Sequence, residues 1–288
     1  MDAVVFILAA LGAMLAWGVG DFLIQRSVRA VGSIQALAFI GIVGSFGLLP
    51  FVIGDISALT WGAGLLILVV LGIVTYAVAI LSFDALRDGK LSIIDVLLEL
   101  ELPIVILLGF LFFRETLTTA QSIVVLFIFL GMVLIAVERF SWKGNTLEKG
   151  VLLGVAAAIG MGVLDFLTAA GARLVSPIMA IWIPWVVFTV ICFIMITKRR
   201  EWHSFTYNAR SHSRLVFGVG IVDTLAWVFY AIALTGEGVG VTTAITEAYP
   251  ALAVLLGVLV NKEKVFAHQW AGVALALGGC IALSLLLA

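Results

Sequence analysis

The sequence predicts an all-α polytopic membrane protein with ten transmembrane helices. Three observations predict it. The 288 residues are 64% hydrophobic and 11% charged, with a mean hydropathy of +1.26. Soluble domains are about 45–50% apolar and about 25% charged. The apolar residues fall in continuous runs of the ~20 residues that a helix needs to cross a hydrocarbon core. The second half of the chain also repeats the first. The runs lack period-two alternation, which excludes a transmembrane β-barrel.

Apolar runs, read against charges and turn residues, place the spans in order. The first, 4–24, follows Met1-Asp2-Ala3 with no basic segment ahead of it, so it reads as a mature span and not a signal peptide. The next four are 33–53, 62–86, 91–112 and 119–138. A polar connection, Arg139 to Lys149, follows and splits the chain into halves at 1–143 and 144–288. The second half holds 150–172, 176–197, 214–235, 239–260 and 267–287. The longest loop, 198–213, carries Lys198-Arg199-Arg200 with His203 and His212. Cys192 and Cys280 both sit in apolar runs, which argues against a disulfide framework. A net charge of −1 gives no case for nucleic acid.

Lys and Arg are unevenly placed. Loops after the odd-numbered spans hold Arg26, Arg29, Arg87, Lys90, Arg139, Lys143, Lys149, Lys198, Arg199, Arg200, Arg210, Arg214, Lys262 and Lys264. The other side holds only Arg114 and Arg173. The positive-inside rule then puts the odd loops in the cytoplasm and both termini outside, in the plasma membrane.

The repeat has two blocks. At an offset of 144, Gly18-Val19-Gly20-Asp21-Phe22-Leu23 matches Gly162-Val163-Leu164-Asp165-Phe166-Leu167, and Arg29 matches Arg173. At an offset of 148, Gly72-Ile73-Val74 matches Gly220-Ile221-Val222, Glu99 matches Glu247, Glu115 matches Glu263 and Gln121 matches Gln269. Apolar matches come cheaply in membrane helices, so the paired acids carry the argument. With five spans each, the halves cross in opposite directions. Inverted repeats of this kind mark transporters with a midplane site at the repeat interface.

The chain here resembles the drug/metabolite transporter superfamily, EamA type. The residues are Ala85-Leu86, Glu99 and Arg114-Glu115-Thr116-Leu117-Thr118 in one half, and Ala248-Tyr249-Pro250 and Lys262-Glu263 in the other. The resemblance implies two five-helix EamA repeats, with spans 1, 3, 4 and 6, 8, 9 around a central cavity and spans 5 and 10 outside. The family usually shows a Glu-Pro pair in the fourth helix of each repeat. This chain reads Glu99-Leu100-Glu101-Leu102-Pro103 and Glu247-Ala248-Tyr249-Pro250 instead. Many members are described with cytoplasmic termini; the charge count here points the other way.

Acids inside the spans point to function. An ionised side chain at a helix centre costs roughly 2.5–3.5 kcal/mol on insertion scales. Asp21, Asp95, Glu99, Glu101, Asp165, Asp223 and Glu247 all lie within spans, with no Lys or Arg at mid-span. Such a group can exchange a proton or accept a cation. Trp17 is four residues from Asp21, and Trp227 is four from Asp223, so each ring shares a helix face with an acid. A ring beside a carboxylate suits a cationic amine. Tyr76 and Tyr230 extend that wall. Glu99 and Glu247 form the expected central pair, with Asp223, Asp21, Trp17, Trp227 and Tyr76 around them. Blander readings stand beside this one. Asp21 can pair with Arg26, Asp165 can cap or pair with Arg173, and Asp95 can be a helix N-terminal acid. Glu101 points to a different face from Glu99, and Glu115 and Glu263 read as structural.

No Walker motif, mid-span lysine, Ser/His/Asp set or metal-spaced cluster occurs, so neither an enzyme nor a cofactor is expected. The expected function is proton- or ion-coupled (proton or Na+) secondary transport of a small cationic or zwitterionic solute by alternating access. A carrier of neutral solutes with carboxylates used only for proton coupling, a channel, and a non-transporting scaffold or sensor are the alternatives. Gly278-Gly279 leaves a monomer and a homodimer both open, though internal packing is the preferred role.

Overall fold

The computed structural model describes residues 3–56, 62–88, 98, 100–136, 151–236, 238–261 and 265–287. Among these residues there are twelve helices and no strand. They are α1 (Ala3–Val31), α2 (Ser33–Ile56), α3 (Ala63–Asp88), α4 (Glu101–Leu108), α5 (Thr119–Ala136), α6 (Val151–Leu174), α7 (Pro177–Arg199), α8 (Trp202–Ser211), α9 (Ser213–Ala233), α10 (Val239–Thr246), α11 (Tyr249–Asn261) and α12 (Ala267–Leu287). A π-helical turn, Gly109–Phe113, continues α4.

Six of these helices, namely α2, α3, α6, α7, α9 and α12, contain segments long and apolar enough to cross a membrane. Helix α1 joins them when its two arms, Val4–Gly20 and Leu23–Val31, are taken as one span bent by 40°. Large apolar side chains such as Leu8, Phe46, Phe51, Leu66 and Leu285 face outward, as a lipid-facing surface requires.

Local chemistry fixes several helix ends. Ser176 caps α7 by accepting from the Met179 N–H at 3.2 Å, with Pro177 at the first helical position. Thr118 and Gln121 form a reciprocal capping box ahead of α5.

Two predicted spans differ from uniform helices. Interval 239–260 is cut into α10 and α11 at Glu247-Ala248. Pro250 has no N–H to give a preceding turn, and it sits in the first turn of α11, where none is needed. In interval 91–112, residues 91–97 and Glu99 lie outside the described residues, and the rest is the short α4 with its π-helical turn. The expected connection 139–149 also lies outside them. The expected loop 198–213 is largely helix, which corrects the sequence reading. Arg200 stops α7 in a left-handed conformation (φ 58°), and the N–H groups of Arg200 and Glu201 return to the carbonyls of Thr197 and Ile196. The chain then re-enters helix α8, which buries Phe205 and Asn208 on one face.

The two halves are interleaved, not side by side. Helix α1 packs on α9 and α3 on α6, while α2 packs on α7 and α5 on α12. The sequence repeat equates α1 with α6, α2 with α7, α3 with α9 and α5 with α12. Exchanging the halves therefore maps this contact pattern onto itself, as a pseudo-twofold relation requires. The larger core lies among α1, α2, α3, α6, α7 and α9. A smaller one joins α5 and α12 to α10 and the N-terminal arm of α1.

The α5–α12 contact depends on two glycines. A Cβ on Gly272 would stand 2.6 Å from the Gly131 carbonyl oxygen and 3.0 Å from the Ile135 nitrogen, both backbone atoms that cannot rotate away. Gly278, six residues further along the same helix, faces open space. Gly272→Ala should therefore destabilise the protein by about 1–3 kcal/mol, the usual range for overpacking, while Gly278→Ala should be close to neutral. Thermal melts of both variants in detergent check this; equal melting temperatures would contradict the close approach.

Candidate functional site

Three carboxyl groups meet at the centre of the bundle. Glu101 opens α4, Asp165 sits midway along α6, and Glu247 occupies the break between α10 and α11. One oxygen from each lies within 4.8 Å of the others. Glu101 and Asp165 are buried and Glu247 is half-buried. Carboxyl groups this close repel one another when all are ionised, so the cluster is a place where a proton or a cation can reside. The Tyr230 and Thr243 hydroxyls are 2.6 Å apart, which ties α9 to α10 behind the acids. An all-oxygen set of this kind suits a proton or a hard cation.

The cluster borders a cavity of about 170 Å³. Its wall includes Asp223 as a fourth acid, together with Trp17, Trp185, Trp227, Phe188 and Tyr249. Among the described residues that line it there is no lysine, arginine or histidine. The aromatic groups form one connected set. The Trp17 and Trp227 rings lie edge to face at 5.1 Å, Trp17 and Tyr230 at 5.4 Å, and Trp185 and Trp227 at 6.0 Å. The Trp185 indole N–H donates to the Thr224 hydroxyl at 3.2 Å. Gly44 of α2 lets that indole approach, because a Cβ there would overlap the Trp185 ring. Ser82 also lines the cavity, and its hydroxyl has no hydrogen-bond partner among the described residues.

The cavity is not centred along the bundle. It runs from Asp165 and Asp223, at mid-helix, toward Ile24, Leu37 and Phe83, near the Lys/Arg-rich ends of α1, α2 and α3. The opposite end carries a polar latch. The Arg173 guanidinium donates to Glu115 at 2.7 Å and to the Leu234 carbonyl at 2.9 Å, and it lies over the Phe113 ring. The other Glu115 oxygen accepts from the Val239 N–H at 2.7 Å, at the start of α10. The latch thus ties the end of α4 to the ends of α6, α9 and α10.

Of the residues expected from sequence, Trp17, Asp223, Trp227 and Glu247 line this one cavity. Asp21 lies at the bend of α1, and its side chain is outside the described residues, as is Glu99. Tyr76 is half-buried against the main core, next to Thr75 and one turn from Ala79, which line the cavity. Glu101, Asp165 and Trp185 take central places that the sequence reading did not assign them. Asp165 was visible as the repeat partner of Asp21, but Arg173 offered it a plausible ion pair. The structure gives Arg173 to Glu115 instead. Glu101 had a usable signal, since it precedes Pro103 by two residues as Glu247 precedes Pro250 by three.

Comparison with known proteins agrees with the architecture. The sequence profile of the EamA-like transporter family matches residues 5–137 and again 148–285. A solved crystal structure of a protein superposes with a TM-score of 0.74 at 18% identity, covering 98% of this chain and 96% of the other. That level of identity speaks for the fold alone. No curated protein matches the chain significantly.

The latch has a measurable strength. Hydrogen bonds to charged groups contribute about 1.5–3 kcal/mol, against about 0–1 kcal/mol for an exposed ion pair. Arg173 and Glu115 are only 29% and 22% exposed, so a coupling of about 1–2 kcal/mol is expected between them. A double-mutant cycle with Arg173→Gln and Glu115→Gln, read by thermal unfolding, measures it; additive losses would show that the two side chains act independently.

Proposed function

The chain belongs to the EamA-like transporter family, and from that premise we propose that it is a secondary active transporter of small organic cations or zwitterions. One observation carries the reading: the cavity wall holds four acids and, among the described residues, no basic side chain. A phosphorylated or dicarboxylic solute would meet only like charge there. An amine, amino acid, polyamine or cationic drug would meet carboxylates for its charge and indole faces for its carbon frame. The Ser82 hydroxyl offers a further hydrogen bond.

Glu101, Asp165 and Glu247 are the coupling group in this reading. They come from both halves, and Glu247 stands at a helix break of the kind where transporters place coupling ions. A proton shared by Glu101 and Asp165 is displaced when a cationic solute approaches, and it returns when the solute leaves. The same cluster would serve a Na+-coupled cycle. Asp223, with Trp17, Trp185 and Trp227, forms the solute wall.

The proposed topology has ten crossings in two inverted repeats, 1–143 and 144–288, in the plasma membrane with both termini outside. With the basic loops in the cytoplasm, the cavity lies toward the cytoplasm and the Arg173–Glu115 latch seals the outer side. Alternating access then requires that the latch open while the Lys/Arg-rich end closes. Interleaving of the halves makes the moving units mixed sets of helices, drawn from both repeats.

A thermal-shift screen of the purified protein in detergent tests the reading. Amines, amino acids, polyamines and quaternary ammonium compounds are compared with anionic and neutral solutes at two pH values. A solute at 100 times its Kd stabilises the folded state by about 2.7 kcal/mol, a readable shift. Cationic solutes should stabilise the wild type, and Glu247→Gln and Asp223→Asn should reduce that effect at least tenfold in apparent affinity. In liposomes, Asp165→Asn should abolish stimulation of uptake by a proton gradient. Anions or neutral solutes that stabilise wild type and variants equally would overturn the charge argument. Solute binding that survives while only the pH dependence disappears would favour a neutral-solute carrier with proton-coupling acids.

A further inference from the structure

A second site lies on the outside of the bundle, where α7 meets α8. Val190, Phe193, Ile194, Thr197 and Lys198 line a shallow, open groove on α7. Their spacing puts all five on one face of the helix. The stripe from 190 to 198 rises about 12 Å, against about 15 Å for one leaflet of the hydrocarbon core. Its lower part is apolar and open, with Val190 51% and Ile194 49% exposed. Its upper end is charged.

The charged end is unbalanced. Lys198, Arg199 and Arg200 follow one another, and α8 and the start of α9 add Arg210 and Arg214. All five are exposed, and among the described residues none has a carboxylate within ion-pair distance. The neighbouring acid, Glu201, is turned inward, where it accepts from the Gln35 amide. Gln35 in turn receives the Asn208 amide at 2.9 Å, so this polar network ties α8 to the first turn of α2. The Trp202 ring stands beside the groove, 5.5 Å from Phe193, with its indole N–H bonded to the Thr197 hydroxyl at 3.0 Å. Exposed Trp202 and Tyr207 are the aromatic residues expected at headgroup level.

We propose that this elbow binds one anionic phospholipid, with an acyl chain along Val190 to Ile194 and the phosphate at Lys198 and Arg200. Apolar shape along one leaflet selects a lipid. The uncompensated basic run at its top selects a negative headgroup over a zwitterionic one. Trp202 forms the side wall at the level of the glycerol backbone. Because α8 is joined through Gln35 to α2, whose Leu37 and Ile40 line the central cavity, an occupied elbow braces the Lys/Arg-rich end of the transport pathway.

Native mass spectrometry of the full chain in detergent tests this, with phosphatidylglycerol and phosphatidylcholine of matched acyl chains as probes. The wild type should retain one phosphatidylglycerol with at least tenfold preference over phosphatidylcholine. The Lys198→Gln, Arg200→Gln double variant should lose the preference. Ile194→Trp, which fills the groove and leaves the charges in place, should lose retention of both lipids. Arg114→Gln, on the opposite face, should behave as wild type. Glycerol 3-phosphate in excess should not displace the lipid. Equal retention of both lipids by the wild type, unchanged phosphatidylglycerol retention in both elbow variants, or displacement by glycerol 3-phosphate would each overturn the assignment.

Discussion

Within a bilayer, every backbone N–H and C=O must find its partner inside the protein, and the rest of this structure depends on that requirement. It makes the helices long and apolar on all sides. It also makes any interruption costly unless the break is buried in protein. The break at Glu247-Ala248 is placed accordingly. The Glu247 N–H still reaches the Thr243 carbonyl at 2.8 Å, and Ala251 reaches back to Ala248 at 3.1 Å. The helix therefore turns aside for a residue or two without abandoning its hydrogen bonds. The carboxyl group at that point enters the cavity because the break re-aims it.

Burying acids needs the same kind of compensation. Each would cost several kcal/mol if left alone in a low dielectric. Here Asp165 stands within 4.8 Å of two further carboxyl groups, close enough to share a proton or a cation with them, and behind them the Tyr230 hydroxyl is anchored by Thr243. At the far end, Arg173 and Glu115 satisfy each other and two backbone groups. Among the described residues the bundle thus gathers acids around the cavity, an ion pair at one end and basic side chains at the other.

Helix positions were legible in the sequence because length and apolarity suffice to locate a membrane helix. The repeat was legible because its paired acids are rare in such segments. What the sequence could not supply was the angular position of side chains across a break. Glu99 and Glu101 are about 200° apart on a regular helix, so the choice between them turns on where α4 begins. Helix α8 was missed because its stop signal is a left-handed Arg200, a conformation that glycine would have advertised. Tyr76 shows the same limit, because an aromatic residue in an apolar run has the same appearance whether it faces a cavity or a neighbour. Arg173 had two plausible acidic partners, and only three-dimensional packing chose Glu115.

The interleaved packing bears on how the chain reaches its folded state. Helix α1 rests on α9, α3 on α6 and α5 on α12, so the major partners are made late in synthesis. The membrane helices of the first half must wait in the bilayer with these interaction faces covered by lipid until those of the second half are inserted. Such a delay is tolerable because lipid shelters an unpartnered apolar helix in a way that water does not.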